Sequence, residues 1–402
     1  MEVSTNLKKN LLWAFILLLI SCATAFVGVK LGEYYVPRNM GYPQAGDVQE
    51  DLFRFDSVYY YSIAKDGYSY NGDPNSSPNL VFAPLYPILI ASLGAVGADL
   101  VTAGFLINHV LLFFTFLMLL FYLQPWWGEW PSRVILAAVA TAAGSYAFHA
   151  YYSEPTMFFC LALALLAHQR GWRVTLAFAT ALLGASRLAA LPICLVIAGD
   201  FFLYAYNSRT YLRTVVENIL AALICVSGVG AYLIYIGHTF GNPFELLPTI
   251  QSASWGKFHP PIDWTSLLTG AYLFEYWGQA LKFGVSTLLM IKTINLIWMT
   301  LGLASCVYML VNFRGRLLTY MFCAYFLFVY YTGAGSDYLI SVHRFFVVML
   351  PIFLMFAGLH KKLSRRLSPM AAQIMSSVFL MINLTYGLMH TAVFNQGLWY
   401  YF

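Results

Sequence analysis

Apolar runs of roughly membrane length alternate with short basic clusters along this chain, and that alternation constrains the fold more than any single motif. The clusters are Lys8 and Lys9, Arg170 and Arg173, Arg209 and Arg213, Arg314 and Arg316, then Lys361, Lys362, Arg365 and Arg366. Between successive later clusters lie pairs of apolar runs, at about 174–187 and 188–205, 214–236 and 293–311, and 317–333 and 345–359. Basic residues gather on the cytoplasmic side of membrane proteins, so each pair leaves the cytoplasm and returns to it. Only 10% of the 402 residues are charged and 60% are hydrophobic, whereas about a quarter of a soluble domain is charged. The expected fold is therefore an all-α polytopic membrane protein, a single domain over residues 1–402. The formal net charge of +5 comes from clusters that report topology, which sets nucleic acid aside as a partner.

Parity sharpens the topology. The N-terminal run at about 11–29 follows Lys8 and Lys9, and Leu19-Ile20-Ser21-Cys22 resembles a lipoprotein cleavage box. The run is long enough to span a bilayer, and an uncleaved first span is the preferred reading over a signal peptide. Five runs separate Lys9 from Arg170, at about 11–29, 81–97, 101–123, 133–151 and 155–168. An odd number of crossings cannot return the chain inside, so one run does not cross. The run 81–97 is short and holds Pro84 and Pro87, which fits a helix at the outer interface; the alternative is 155–168. With one further crossing after Arg366, the result is about eleven spans with a cytoplasmic N-terminus and an external C-terminus. External segments are expected at 30–99, at "YYSEP", at 237–292 and at "GAGSDYLISVHR", residues 333–344.

The six cysteines lie in apolar runs without the spacing of a disulfide framework or a metal site, and no metal or other cofactor is expected. Glu154, Arg187, Asp200 and Glu217 fall near span ends. No midplane carboxylate and no internal repeat stands out, the marks of an ion-coupled transporter.

The first external segment carries "FRFDSVYYYSIAKDGYSY", Phe53 to Tyr70. Asp47, Glu50 and Asp51 read as a solvated face. Asp56 differs, because it stands between Phe55 and the run Tyr59-Tyr60-Tyr61 with Arg54 and Lys65 as its only basic sequence neighbours. A carboxylate in such a partly dry, aromatic setting gains basicity, which suits a general base. Tyrosines are also ordinary interface anchors.

"FDSVYYYSIAKDGY" followed by "VFAPLYP" resembles the first-loop signature of PIG-V-type mannosyltransferases, members of the GT-C class of polytopic glycosyltransferases. The resemblance continues through "YYSEPTMFFCLALALLA", "GASRLAALP", "GNPFELLPTIQSASWGK" and "HRFFVVMLPIF". The five elements keep the family's order and cover most of the chain, and the family's juxtamembrane helix corresponds to 81–97. Phe55 stands where the family usually has Trp, Ala83 replaces an aromatic, and His343-Arg344-Phe345 replaces a typical Arg-Tyr. These departures leave the sugar and the acceptor open.

The resemblance implies a GT-C bundle with juxtamembrane helices in the first loop, and sugar transfer, mannose first, from a polyprenyl- or dolichyl-phosphate donor to a glycolipid or glycan acceptor. Nucleotide sugars are cytoplasmic, so a site on the outer face needs a donor that has already crossed. Asp56 is the implied base of an inverting displacement, and the leaving phosphate monoester, with a second pKa of about 6, needs no acid at neutral pH. Arg344 is the first choice for the donor phosphate, because guanidinium binds phosphate in a bidentate fork. Arg187 is either a second phosphate ligand or a snorkelling residue, and His343 is a hydrogen-bonding neighbour of the arginine. Glu154 either caps the helix that follows it or orients a sugar hydroxyl. Tyr59, Tyr60, Trp255 and Lys257 complete the expected sugar and acceptor contacts.

Two rival readings accompany this one: a lipid-linked sugar transporter or flippase, and a non-catalytic membrane subunit. A transporter needs polar groups near mid-membrane, usually in related repeats, whereas here they collect on one face. The expected location is a bacterial plasma membrane, or the endoplasmic reticulum of a eukaryote.

Overall fold

A computed structural model describes residues 2–36, 48–207, 211–252, 287–334, 342–348 and 350–397. The described residues form an all-α bundle with no strand. In chain order the helices are α1 (Glu2–Tyr35), α2 (Val48–Leu52), α3 (Ser57–Asp66), α4 (Leu85–Ala95), α5 (Leu100–Trp127), α6 (Glu129–Ala140), α7 (Glu154–Arg170) and α8 (Arg173–Ser186). They are followed by α9 (Leu191–Asn207), α10 (Leu212–Phe240), α11 (Leu246–Gln251), α12 (Thr287–Asn312), α13 (Leu317–Ala334), α14 (Val342–Val347), α15 (Pro351–Ser364) and α16 (Pro369–Asn395). Among the described residues, five segments are long and apolar enough to cross a membrane: Asn6–Tyr35, Leu100–Trp127, Leu188–Asn207, Leu212–Phe240 and Met370–Asn395. The protein is a multi-pass membrane protein; α12 is a further long helix, and several of the other apolar runs form shorter or interrupted helices.

Small residues let the long helices approach. Gly28 and Gly32 lie one turn apart on α1, and a Cβ at either would collide with Thr391 or with Ala392 and Asn395 of α16. Gly228 of α10 sits in the same way against the Ala181 carbonyl of α8. With lipid as solvent there is little hydrophobic drive between helices, so such close contacts carry much of the association.

The bundle has two chemically distinct ends. At one, the Asn10 and Gln124 amides exchange hydrogen bonds of 3.1 and 2.8 Å. There, Arg133 stacks over Trp13 at 4.5 Å, Arg316 over Trp126 at 4.3 Å, and Lys361 over Trp127 at 6.0 Å. At the other end, Asn395 donates to the Val29 carbonyl at 2.9 Å and the Tyr151 hydroxyl to the Leu100 carbonyl at 2.9 Å. Helices α3 and α4 also lie at this second end, with Tyr60, Tyr86 and Tyr151 in edge contact. With 11 residues α4 is about 16 Å long, half of a bilayer core of about 30 Å. Helix α7 runs between the two ends, from Glu154 beside Arg187 to Gln169, which donates to the Tyr122 carbonyl at 2.9 Å.

Two expected spans are broken. The run 133–151 is α-helical only to Ala140; residues 141–153 are irregular apart from a 3-10 turn at Ser145–Phe148, and buried throughout. Unwound backbone is tolerated at depth only where protein satisfies it, and here local turns do so, with Ser145 N–H donating to Ala142 at 2.8 Å and His149 N–H to Tyr146 at 2.9 Å. Side chains from distant helices add Asn108 to the Ala150 carbonyl at 2.8 Å and Asn383 to the Ala138 carbonyl at 2.7 Å. The run 345–359 divides into α14 and α15, because Pro351 opens α15 and has no N–H with which to continue the preceding helix.

Candidate active site

Asp56 is the N-cap residue of α3: its carbonyl accepts from the Tyr60 N–H at 3.2 Å, while its side chain makes no cap bond to that helix. Phe55 before it adopts φ +50°, a left-handed conformation that costs a bulky L-residue roughly 1–2 kcal/mol. The strained residue is fixed by its neighbours, its ring lying 5.5 Å from that of Phe394. This turn aims the Asp56 carboxylate away from α3 and toward α14, where Arg344 Nη1 donates to Oδ2 at 2.9 Å across 288 positions of sequence.

Arg344 is shared. Its Nε lies 2.9 Å from Glu154 Oε1, and Arg187 Nη1 reaches the same oxygen at 2.5 Å. Glu154 opens α7 behind the irregular segment. Arg187 stands in extended backbone where α8 stops and the 3-10 turn Leu188–Ala190 begins, so the chain break points it into the bundle. The four side chains form a chain Asp56, Arg344, Glu154, Arg187 with formal charges that cancel. Glu154 is 2% exposed, Arg344 6%, Arg187 11% and Asp56 22%, so the quartet opens outward at Asp56. The contacts on Glu154 are close ion pairs off the hydrogen-bonding line: neither of its oxygens accepts a well-aligned bond among the described residues. A buried carboxylate held in this way keeps acceptor capacity for a ligand hydroxyl.

Aromatic rings wall the quartet. The Arg344 guanidinium lies 4.9 Å from the Tyr152 ring centre, and that of Arg187 lies 5.2 Å from Phe345. Tyr60 is buried, its hydroxyl 2.6 Å from Ser153 Oγ, and burial pushes it up to about 12. Tyr59 is half-buried and stacks on Phe82 at 4.9 Å; burial, then the nearby Asp56 charge, raises its hydroxyl as well.

Asp56, Arg344, Arg187, Glu154 and Tyr60 are thus brought together, with Tyr59 on the same helix as Tyr60. His343 lies on α14, but its side chain falls outside the described residues, as do Trp255 and Lys257 entirely. One expectation is corrected. Asp51 does not belong to a solvated face: its side chain is 2% exposed and pairs with Arg54 at 2.8 Å, because α2 packs against the ends of α1 and α16 and buries it. Tyr152 and Ser153 were not expected at the site, although both lie inside the quoted "YYSEP" element. Their signal was their place immediately before Glu154.

No protein family matches the sequence, and no curated protein matches it. Among solved structures the chain is similar to ArnT from Cupriavidus metallidurans bound to undecaprenyl phosphate, with 12% identity and a TM-score of 0.46 over 96% of this chain and 75% of that one. It is also similar to the Archaeoglobus fulgidus oligosaccharyltransferase tethered with an acceptor peptide, with 14% identity and a TM-score of 0.45 over 96% of this chain and 55% of that one. At TM-scores below 0.5, these likenesses assign no role to any residue of this chain.

Proposed function

We propose that this protein is a membrane glycosyltransferase of the GT-C class that moves a sugar, mannose in the first instance, from a polyprenyl- or dolichyl-phosphate donor to a glycolipid or glycan acceptor on the external face. The observation that carries the reading is the quartet itself: two carboxylates and two guanidiniums from four distant parts of the sequence converge at one end of a membrane bundle, ringed by aromatics. A purely structural cluster gains nothing from an opening at one acid.

In this reading the donor phosphate takes up Arg344 and Arg187, since a guanidinium binds phosphate with two parallel N–H bonds. Arg344 is already held by Asp56 and Glu154, so the phosphate competes with both carboxylates for it. Asp56 is then released from its ion pair as the donor arrives. The freed carboxylate accepts the proton of the acceptor hydroxyl while that oxygen attacks the anomeric carbon, and the sugar–phosphate bond breaks on the opposite face. Polyprenyl phosphate leaves as a monoester with no acid required, and the product is inverted. Glu154 orients a sugar hydroxyl through an oxygen that no described residue engages well. Tyr59, at the open edge, contacts sugar or acceptor.

The test is consumption of polyprenyl-phosphate mannose, glucose and arabinose by detergent-purified protein, with membrane lipid extract as acceptor. Release of polyprenyl phosphate from one donor, abolished in Asp56→Asn, is the expected result. Consumption of none, with donor instead moved across vesicles, establishes the flippase reading.

A further inference from the structure

We propose that Cys22, His109 and His149 form a binding site for a soft monovalent d10 cation, copper(I), in the interior of the bundle. The three residues come from α1, α5 and the irregular segment before α7, and their ligand atoms all lie within 4.8 Å of one another. None of them belongs to the proposed transfer site.

The convergence of the three ligand atoms carries the argument, and the hydrogen bonds around them show how a cation would be received. His109 Nδ1 lies 2.7 Å from the Phe105 carbonyl oxygen, and a carbonyl only accepts, so Nδ1 holds the ring proton and Nε2 presents a lone pair. That Nε2 faces His149 Nδ1 at 3.3 Å. His149 Nε2 lies 2.7 Å from Ser21 Oγ, and Ser21 donates at 3.1 Å to the carbonyl of Ala140. Ala140 ends α6, where carbonyls lack intrahelical partners. The tautomer of His149 then decides. With the Ser21 proton on Ala140, His149 donates from Nε2 and its bare Nδ1 faces the bare His109 Nε2, a pair of lone pairs that a shared cation fills; with that proton on His149 Nε2, Nδ1–H donates to His109 Nε2 in a neutral relay.

The geometry is close to that of a metal centre. Bonds of about 2.0–2.1 Å to two nitrogens, at tetrahedral to trigonal angles, separate them by roughly 3.3–3.6 Å. The imidazoles already stand at that distance. A sulfur bond of about 2.3 Å needs a shift of roughly 1 Å at Cys22, within reach of a side-chain rotation. In the cation-binding tautomer each imidazole has its outer N–H anchored, to a carbonyl and to a hydroxyl, as ligating histidines usually do.

Charge selects the metal. Cys22 lies near the middle of the Asn6–Tyr35 span, where a net charge is costly. The thiol releases its proton to solvent as the sulfur–copper bond forms, no electron is transferred, and thiolate plus Cu⁺ with two neutral imidazoles is uncharged. Zn²⁺ in the same ligands leaves a positive charge. Thiolate and imidazole together also suit copper(I) by softness. The bound ion would fasten α1 and α5 to the segment that carries Tyr152 and Glu154.

The test uses the full protein in detergent, under anaerobic reducing conditions, with Cu⁺ in competition with a copper(I)-specific chelator. Alkylation of Cys22, followed by peptide mass spectrometry on the unmutated protein, is expected to slow by tenfold or more with Cu⁺, and by much less with Zn²⁺. In His109→Gln and His149→Gln the protection should fall at least tenfold, which separates a three-ligand site from capture by a lone thiol. Equal protection in those variants, or unprotected Cys22 in the unmutated protein, overturns the site and leaves a neutral hydrogen-bond relay from Ser21 through both histidines. Tighter protection by Zn²⁺ than by Cu⁺ overturns the copper assignment. Should a variant fail to fold, the unmutated protein still decides: protection of Cys22 no stronger than that of its other cysteines is capture by lone thiols and overturns the site.

Discussion

Two contacts between an acid and an arginine begin in the same short stretch of sequence and are built in opposite ways. Asp51 and Arg54 are three residues apart, both almost fully buried, with Arg54 also donating to the Asn395 carbonyl at 3.3 Å. Asp56 is more exposed, and its partner Arg344 arrives from 288 positions away already engaged with Glu154. The first contact is local and closed, with a backbone carbonyl to finish it. The second shares one guanidinium between two carboxylates and opens to the outside. A local buried pair costs little to assemble and holds a joint; a long-range shared pair leaves an arginine that an incoming anion can take over. The first should therefore govern stability and the second chemistry.

The largest expected effect breaks the second contact. Asp56→Asn keeps size and most hydrogen-bonding capacity but cannot accept a proton, so turnover should fall by about a hundredfold to ten-thousandfold. Monodisperse yield and thermal midpoint in detergent should stay near those of the unmutated protein. Near-normal sugar transfer by this variant would remove Asp56 from the chemistry.

The complementary break is Asp51→Ala. It leaves Arg54 buried without its carboxylate, a loss of about 3–5 kcal/mol in comparable buried pairs. The unfolding midpoint should drop sharply, while transfer per folded molecule at low temperature is unchanged. If Asp51→Ala instead lowers turnover at full stability, the contrast between the two contacts collapses.

Sequence made much of this visible, and physics explains the remainder. The helices α1, α5 and α10 follow from long apolar runs, and the aromatic frame of Asp56 is local enough to read directly. The break at Ala140 left no mark because residues 133–151 stay apolar across it; what stops the helix is support from Asn108 and Asn383 on other helices. Burial of Asp51 depends on how α2 meets α1 and α16, and a charge in a loop carries no sign of it. Arg344 was marked by its motif, but its reach to both Asp56 and Glu154 is a property of packing. The meeting of Cys22, His109 and His149 is equally invisible, since no spacing joins three separate elements.

Arg344→Lys sharpens the second contact further. A lysine retains the charge and loses the planar fork, so it can serve a carboxylate or the phosphate but not two partners in parallel. Charge-assisted hydrogen bonds contribute roughly 1.5–3 kcal/mol each, and the loss of one should lower the apparent donor specificity constant by about tenfold to a hundredfold. The fall should lie in the donor concentration dependence, measured at saturating acceptor. An unchanged donor response excludes Arg344 as the phosphate ligand.

Tyr60→Phe tests whether the wall is structural. It deletes the hydroxyl bound to Ser153 Oγ, a net change of about 0.5–1.5 kcal/mol, read as a small fall in thermal midpoint with modest change in turnover. The sign with pH follows from burial, which holds this hydroxyl at about 12 in the folded protein against about 10 in an unfolded chain. The neutral form is favoured in the fold, so its contribution is present in full below pH 10 and declines as pH rises from 10 toward 12. Tyr60→Phe should flatten that alkaline decline; a decline of the same steepness assigns it to other groups.

The smallest effect belongs to Asp66→Asn, at the far end of the same helix as Asp56. Asp66 is exposed and ends α3 just before Gly67, whose φ of +83° makes the turn. The glycine fixes that turn, and the Asp66 carboxylate faces solvent, so its replacement should stay within about 0.5 kcal/mol in stability and leave transfer essentially intact. Helix α3 is common to both acids, which makes this variant the control for the first. A loss in Asp66→Asn as large as that in Asp56→Asn, at matched yield, shows that both substitutions disturb the loop; the defect in Asp56→Asn is then one of folding, and proton abstraction has to be assigned to another group.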